Sequence, residues 1–376
     1  MAPVDYHYGK FPPSRLELER IISVIGPANA AIARYDGVLS AIPNANVLLS
    51  PLTTQEAVLS SKIEGTQATM AEVLEFEAEG DSNEFPGKKE ADIYEIINYR
   101  KALNHAVDLL RELPICQRVI CEAHRILMDS VRGYSNSPGI YRKIPNWIGP
   151  KGCSINDATF VPVSADKLPD SMSRWEKYVH EEVFDRLIQL AILHAEFEAL
   201  HPFLDGNGRI GRMLIPLFLK QSGLLQTPMF YISAYFEVNR QEYYKRLLAV
   251  SKDDDWTGWC IFFLNALQEQ AVINYSKATA IVKLYNEMKK DVAGFTHSQY
   301  AIYALDWIFG RPIFKSSDFI KQAGIPKPTA LRILNVLKEK AILREIKPSR
   351  GRRASTLAYI ELLTIAEGHD VFEAHR

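Results

Sequence analysis

Cysteine is scarce in this 376-residue chain, and the four present, Cys116, Cys121, Cys153 and Cys260, form no Cys-x-x-Cys pair. Scattered thiols of this kind exclude a disulfide framework and argue against a zinc site. They are expected to be free thiols in a reducing compartment. Long apolar runs are missing too: none approaches the roughly 20 residues of a membrane span. The opening stretch, MAPVDYHYGKFPPSRLELER, lacks the apolar centre of a secretion signal. Net charge is −1, which leaves no global field to attract nucleic acid or a lipid surface. Together these absences point to a cytoplasmic protein with no membrane partner. What is there, 47% hydrophobic and 24% charged, is globular material long enough for two or three domains.

The chemistry concentrates in one run, His201-Pro202-Phe203-Leu204-Asp205-Gly206-Asn207-Gly208-Arg209-Ile210-Gly211-Arg212. Residues 184–200 before it have no Gly or Pro and a thick apolar stripe, so they predict a buried helix. Pro202 should end that helix. Residues 213–220 are apolar again and predict a second helix. Gly206, Gly208 and Gly211 let bare N–H groups approach a ligand, and the start of the second helix adds its positive dipole end. Arg209 and Arg212, one turn apart, are expected to clamp phosphate oxygens from one side. Asp205 suits a magnesium ion that bridges phosphates. His201 suits a general base near neutral pH. The run therefore reads as a phosphoryl or phosphodiester transfer site. The alternative is a plain helix–turn–helix connection with a capping Asp and exposed arginines. An EF-hand lacks its later acidic ligands here, and a Walker loop lacks its Gly-Lys-Ser/Thr.

The run resembles the signature loop of Fic-domain proteins, His-x-Phe-x-Asp/Glu-Gly-Asn-Gly-Arg-x-x-Arg, without departure. The resemblance implies an adenylyltransferase that moves AMP from ATP to a protein Ser, Thr or Tyr hydroxyl, the chain itself included. It implies His201 as the base, Asp205 as the Mg²⁺ ligand, and Phe203 as packing. Asn207 and the Gly206 and Gly208 backbone would take the α-phosphate. Arg209 and Arg212 would take the outer phosphates, with Ile210 and Gly211 completing the nucleotide site. Upstream, Ser60-Ser61-Lys62-Ile63-Glu64-Gly65 is an ordinary helix end on one reading, although Glu64 sits oddly at the negative end of a helix dipole. Beside the signature loop it resembles the family's inhibitory motif, with Ser60, Glu64 and Gly65 in the fixed places. Glu64 is then implied to pair with Arg212 and to border the nucleotide site.

Other stretches predict helices over 16–34, from a Thr53 or Thr54 cap to 63, and over 69–79, 91–113, 117–131, 166–182, 240–250 and 256–285. Residues 1–15 are expected to drape on the surface, and 80–89 to form a loop. Residues 226–235 predict a short extended part. His105, His124 and His194 read as packing or surface histidines, His194 as a buried one supporting the loop. Residues 144–148 and 159–163 predict two short strands. They resemble the Fic β-hairpin flap, on which a target segment would dock main chain to main chain along Ile144, Trp147, Ile148, Thr159, Phe160 and Val161; a plain surface hairpin is the alternative. Tyr244 is the residue chosen to line the adenine pocket, against core packing.

Residues 315–353 carry eleven Lys or Arg and three acids, a net +8 that leaves −9 for the rest. Helices over 316–323 and 328–340, then strands over 342–346 and 356–360 around a basic hairpin, resemble a winged helix. Lys327, Arg332, Arg350, Arg352 and Arg353 would contact DNA in that reading; a winged helix used for protein contact is the alternative. The expected fold is mainly α: a Fic helical core with a β-hairpin flap, plus a C-terminal winged helix-turn-helix domain. The expected domains are 1–90, 91–290 and 291–376. Removal of AMP, transfer of another phosphate-linked group, and a nucleotide-sensing DNA-binding regulator are the competing functions. DNA and a second copy of the chain stand as candidate partners beside ATP and the target protein.

Overall fold

The computed structural model describes residues 2–80, 87–129, 137–351 and 353–369. The fold is mainly helical. A two-residue strand, β1 (Val4–Asp5), precedes a long helix, α1 (Leu18–Ala41). Next come α2 (Ala45–Leu48) and α3 (Ser50–Ile63). Helix α4 (Met70–Glu79) starts on a capping box between Thr69 and Glu72. Helices α5 (Gly87–Leu109) and α6 (Gln117–Leu127) follow. A short strand β2 (Phe160–Val161) leads to α7 (Leu168–Val179), α8 (Arg186–Leu200) and α9 (Asn207–Gln221). Then come α10 (Ser233–Val238), α11 (Arg240–Asp253) and α12 (Trp256–Thr296). The chain closes with α13 (Ala301–Gly310), β3 (Ile313–Lys315), α14 (Ser316–Gln322), α15 (Lys327–Glu339), β4 (Arg344–Lys347), β5 (Thr356–Ala358) and α16 (Ile360–Glu367).

The chain forms two compact units, one of Met1–Asp36, Leu59–Thr66 and Ile97–Ile273, the other of Gly37–Val58, Gln67–Ile96 and Asn274–Arg376. In the first, α8 is the central element. Every residue from Leu187 to Leu200 is buried except Glu198. Asp185 caps its start by accepting from the Leu187 and Ile188 N–H groups. Helices α7, α9 and α11 pack on it. Two tryptophans lock it by donating to its carbonyls, Trp175 to Leu193 and Trp259 to Ala191. Because α8 is enclosed all round, its end is a rigid place from which to hang a loop.

In the second unit β5 is the middle strand of a three-stranded antiparallel sheet, order β3-β5-β4, with Ile313 opposite Ala358 and Arg344 opposite Ala358 on the other side. Phe314 and Phe319 meet the Trp307 ring edge-on. Glu79 at the end of α4 is fully buried and pairs with Lys347 and Arg353, while Thr356 donates to it. A buried carboxylate at a helix C-terminus needs such cations, since the helix dipole opposes it.

Several expectations change. Helix α3 starts at Ser50, with Pro51 in its first turn, and Thr54 donates to the Ser50 carbonyl instead of capping. Helices α1 and α12 run on to Ala41 and Thr296, because no breaker stands at residues 35 or 286. Residues 226–235 form no strand; α10 takes the end of that stretch. Helix α5 starts at Gly87, and the rest of the expected 80–89 loop lies largely outside the described residues.

The expected hairpin is reduced to a single antiparallel bridge, Ile148 to Phe160. Residues 144–147 form no strand. The N-terminal stretch is not merely draped. Strand β1 pairs in parallel with β2, and Tyr6 and His7 are buried, both hydrogen-bonded to the carboxylate of Glu196 in α8. Two polar side chains aimed at one buried carboxylate give the N-terminus an anchor that hydrophobic patterning does not reveal.

Candidate functional site

Helix α8 ends at His201, whose backbone is left-handed (φ 48°) while its N–H still bonds the Phe197 carbonyl. That conformation is uncommon outside glycine, so something must hold it. Arg142 does so: it is buried, and its Nε donates to the His201 carbonyl (2.9 Å) and its Nη2 to the Leu200 and Val163 carbonyls. The carbonyls at the end of α8, orphaned by the helix stop, are thus satisfied by one guanidinium. Burial pushes the Arg142 guanidinium down to about 10, with Tyr8 working against it. Asn146 adds a bond to the Phe203 carbonyl.

The loop closes on itself through Asn207. Its Oδ1 accepts from the Phe203 N–H (2.8 Å) and its Nδ2 donates to the Phe203 carbonyl (2.9 Å). Phe203 is fully buried and stacks on His124, with centroids 3.6 Å apart and planes 4° apart. His124 Nε2 donates to the Asp205 carbonyl, and its Nδ1 accepts from the Gly139 N–H. Burial, then the Arg209 charge, oppose protonation there and bring the ring down to about 4. Gly206 takes φ +77° to turn the chain into α9.

His201 donates from Nδ1 to the Glu198 carbonyl (3.3 Å), which leaves Nε2 with a lone pair. Burial brings its pKa down to about 4; the nearby Glu198 carbonyl and Glu64 work against burial without reversing it. The imidazole is therefore neutral at neutral pH, the state that a base needs.

Arg212 is buried with its side chain 1% exposed. Its Nε donates to Ser60 Oγ (2.9 Å), and its Nη2 to the Ser60 carbonyl (2.8 Å) and Glu64 Oε1 (2.7 Å). Burial opposes ionisation of Glu64, but the charge and hydrogen bond of Arg212 hold its carboxyl below the usual range. Gly208 lies under this pair: a Cβ there would run into Glu64 Oε1. Gly65, in a φ of +104°, ends the turn that carries Glu64.

Glu64, His201, Gly208, Arg212 and Tyr244 line one pocket, which Ile148, Thr159 and Phe160 also border. Tyr244 is 41% exposed beside fully buried Tyr243, so of the two tyrosines it is the one turned to the opening. Tyr243 instead bonds His194, whose Nδ1 meets the Gly211 carbonyl. Ile210 is core. Arg209 and Arg212 do not clamp from one side: Arg209 is buried toward Met128 and Asp205. The Asn207 side chain is turned back on the loop and cannot serve a phosphate; only its backbone at the start of α9 can. The sequence reading missed Arg142, Asn146 and the part played by His124, since nothing local marks them.

Among the described residues no group of three or more His, Cys, Asp or Glu could hold a metal. Magnesium does not need one, because substrate phosphates and water supply most of its ligands. Asp205 fits that single-carboxylate role: its side chain is 44% exposed, and Oδ1 is held by the Gly206 N–H and Arg209.

Of the expected docking residues, Ile144, Trp147 and Ile148 are exposed, but the main chain of Phe160–Val161 is already paired on both sides, with Ile148 and with Val4–Asp5. Thr159 is exposed, yet its carbonyl accepts from the Val4 N–H. Of the basic residues, Lys327 and Arg350 are exposed. Arg332 donates to the Thr296 carbonyl and Arg353 pairs with Glu79, so both are partly engaged within the chain. Arg352 lies outside the described residues.

Known proteins agree with this architecture. Family models described as Fic/DOC family N-terminal and Fic/DOC family match residues 22–108 and 114–219. A probable protein adenylyltransferase of Aquifex aeolicus is 26% identical over 245 residues, 64% of this chain and 66% of that one. A protein adenylyltransferase Fic of Drosophila grimshawi is 29% identical over 196 residues, 49% of this chain. The chain spans just under two thirds of the Aquifex protein and 37% of the Drosophila one. Among solved structures, a Fic family protein from Desulfovibrio desulfuricans shares the fold at a TM-score of 0.56 and 18% identity, covering 93% of this chain and 98% of that one. A Fic domain protein from Bacteroides thetaiotaomicron does so at 0.55 and 19%, covering 68% of this chain and 97% of that one. On the matched models and the fold, the chain belongs to the Fic/DOC family.

Proposed function

We propose that the chain is a self-inhibited protein adenylyltransferase that moves AMP from ATP to a Ser, Thr or Tyr hydroxyl of a protein. One arrangement carries the reading: a neutral His201 and the Arg212 guanidinium border the same pocket, and Glu64 occupies Arg212. The names of the Aquifex and Drosophila relatives support the same chemistry.

In this mechanism the target oxygen attacks the α-phosphorus of ATP and its proton passes to His201 Nε2. The bond from the α-phosphorus to the bridging oxygen breaks, and pyrophosphate leaves. The first turn of α9, with its unpaired N–H groups and positive dipole end, holds the α-phosphate. Asp205 would hold Mg²⁺, which supplies charge neutralisation when bound. Arg212 grips the terminal phosphate only once Glu64 has left it. With Glu64 in place the α-phosphate is out of line, and a misplacement of about 1 Å costs on the order of 100-fold in rate. The target docks along the exposed Ile144, Trp147 and Ile148 side of the flap.

Residues 1–90 then form the inhibitory part, 91–290 the catalytic core and 291–376 a winged helix. The order helix, strand, helix, turn, helix, strand, loop, strand from α13 to β5 supports the last. Exposed Lys327 and Arg350 favour a second, DNA-binding role for it.

The test is AMP transfer from α-labelled ATP with Mg²⁺, read by label and by intact mass. Transfer is expected chiefly in Glu64→Gly and is expected to vanish in Glu64→Gly/His201→Ala. If every variant binds ATP and none transfers AMP, the reading is overturned.

A further inference from the structure

Glu198 is the exception in the buried face of α8. It stands three residues before His201, and its carbonyl already holds His201 Nδ1. Its side chain is 12% exposed, and Oε1 is wholly buried with no hydrogen-bond partner among the described residues. An orphaned buried carboxyl oxygen is costly and asks for an explanation. The carboxyl lies over Gly211, where a Cβ would run into Oε1. It borders the pocket shared by Glu64, His201 and Arg212.

The groups facing it come from three directions. Helix α9 brings the Arg212 cation and the turn after α3 brings the Glu64 anion. Helix α11 brings the phenols of Tyr243 and Tyr244, which stay neutral. On its own helix, His194 Nε2 is 4.0 Å away, and just past the helix end the His201 ring bonds the Glu198 carbonyl. Both rings are held neutral, chiefly by burial, and His194 Nε2 accepts from the Tyr243 hydroxyl, so it has no proton to give. Two carboxyls therefore share one guanidinium, and only Glu64 is bonded to it.

We propose that Glu198 is a positioning residue for Arg212: it becomes the counter-ion of the guanidinium when Glu64 leaves, and it takes up a proton when the nucleotide's terminal phosphate arrives. This deepens the nucleotide-binding reading of the site and rests on it. A triphosphate and an ionised Glu198 cannot both sit on Arg212 without like-charge repulsion. While Glu64 is paired, burial pushes the Glu198 carboxyl up to about 7; Arg212 pulls it down and the Glu64 charge lifts it. Removing Glu64 removes that lift, so Glu198 ionises more readily. Nucleotide must then return a proton to it. Binding to the released site should weaken as pH rises.

Calorimetric titration of Glu64→Gly and Glu64→Gly/Glu198→Gln with ATP and Mg²⁺ at pH 6, 7 and 8 tests this. Comparing the two variants cancels the protonation of ATP itself. Between pH 6 and 8 the Kd of Glu64→Gly should rise about tenfold more than that of the double variant, one pKa unit of linkage. Buffers of different ionisation enthalpy should show extra proton uptake in Glu64→Gly alone. Parallel pH profiles overturn the inference and leave the nucleotide reading standing. If neither variant binds ATP at any pH, the nucleotide reading fails and takes the inference with it. An infrared titration of the Glu198 carboxyl, assigned by its loss in Glu198→Gln, needs no ATP. Its midpoint should fall when Glu64 is replaced by Gly, and an unmoved midpoint overturns the proposal.

Discussion

Asn207 holds Phe203 by both ends of its amide, accepting from its N–H at 2.8 Å and donating to its carbonyl at 2.9 Å. The loop between α8 and α9 is thus closed by a single side chain, with His124 stacked beneath it. Asn207→Ala should cost about 2 kcal/mol, because two hydrogen bonds are lost and a buried N–H is left unpaired. Asn207→Asp keeps the acceptor and should cost less. Urea unfolding of the three proteins checks both, and equal stabilities would refute the role.

Ser60 holds Arg212 beside Glu64. Its hydroxyl accepts from Arg212 Nε, but its carbonyl also holds Nη2. Ser60→Ala removes only the first of these bonds. AMP transfer by Ser60→Ala should therefore rise about tenfold or less, well short of the on-the-order-of-100-fold release expected for Glu64→Gly. A Ser60→Ala rate equal to that of Glu64→Gly would place the restraint in Ser60 instead.

Acid should loosen the core through His194. Burial and the nearby Arg212 charge bring its pKa down to about 3, against an ordinary value of 6.5. Between those two values the unfolded chain binds a proton that the folded one refuses. Stability therefore falls as pH drops below about 6.5, by up to about 1.4 kcal/mol per pH unit for this one ring. His194→Gln should be less stable at pH 7, and its stability should depend less on pH by about that slope. Urea midpoints from pH 7 to pH 5 read the difference, and identical slopes would count against a neutral His194.

In the DNA-binding reading of residues 291–376, Lys327 and Arg350 should carry the phosphate contacts. Each change to Ala should reduce the salt slope of log affinity by about one and weaken binding evenly across sequences. Arg353→Ala should chiefly destabilise the unit, since it strips a cation from buried Glu79. Fluorescence anisotropy against salt decides it, and salt-insensitive binding would rule out phosphate contacts.

The helices were legible where apolar spacing and breakers lie close together, as in α4, α7 and α15. Their ends were less so: α3 begins at Ser50 because Pro51 is welcome in a first turn, and nothing in Thr53 or Thr54 reveals that. The pairing at Phe160–Val161 is not legible in the sequence, because a two-residue strand carries almost no periodic signal. The parallel partner of Phe160–Val161 is the N-terminus, over 150 residues away.

By itself the sequence determined where a base, an acid, glycines and arginines gather, because residues 201–212 keep them close by chain connectivity. It also determined that Glu64 follows Ser60 at a fixed spacing. The tertiary structure alone decided how those groups are used. Arg142 from a distant loop holds His201 in place, His124 carries Phe203, and Asn207 is spent on the loop itself. Arg209 and Arg212 part company because one finds Asp205 and Met128 while the other finds Ser60 and Glu64. Hydrogen bonds and burial join residues that the fold brings together, and that proximity is not written in the order of the chain.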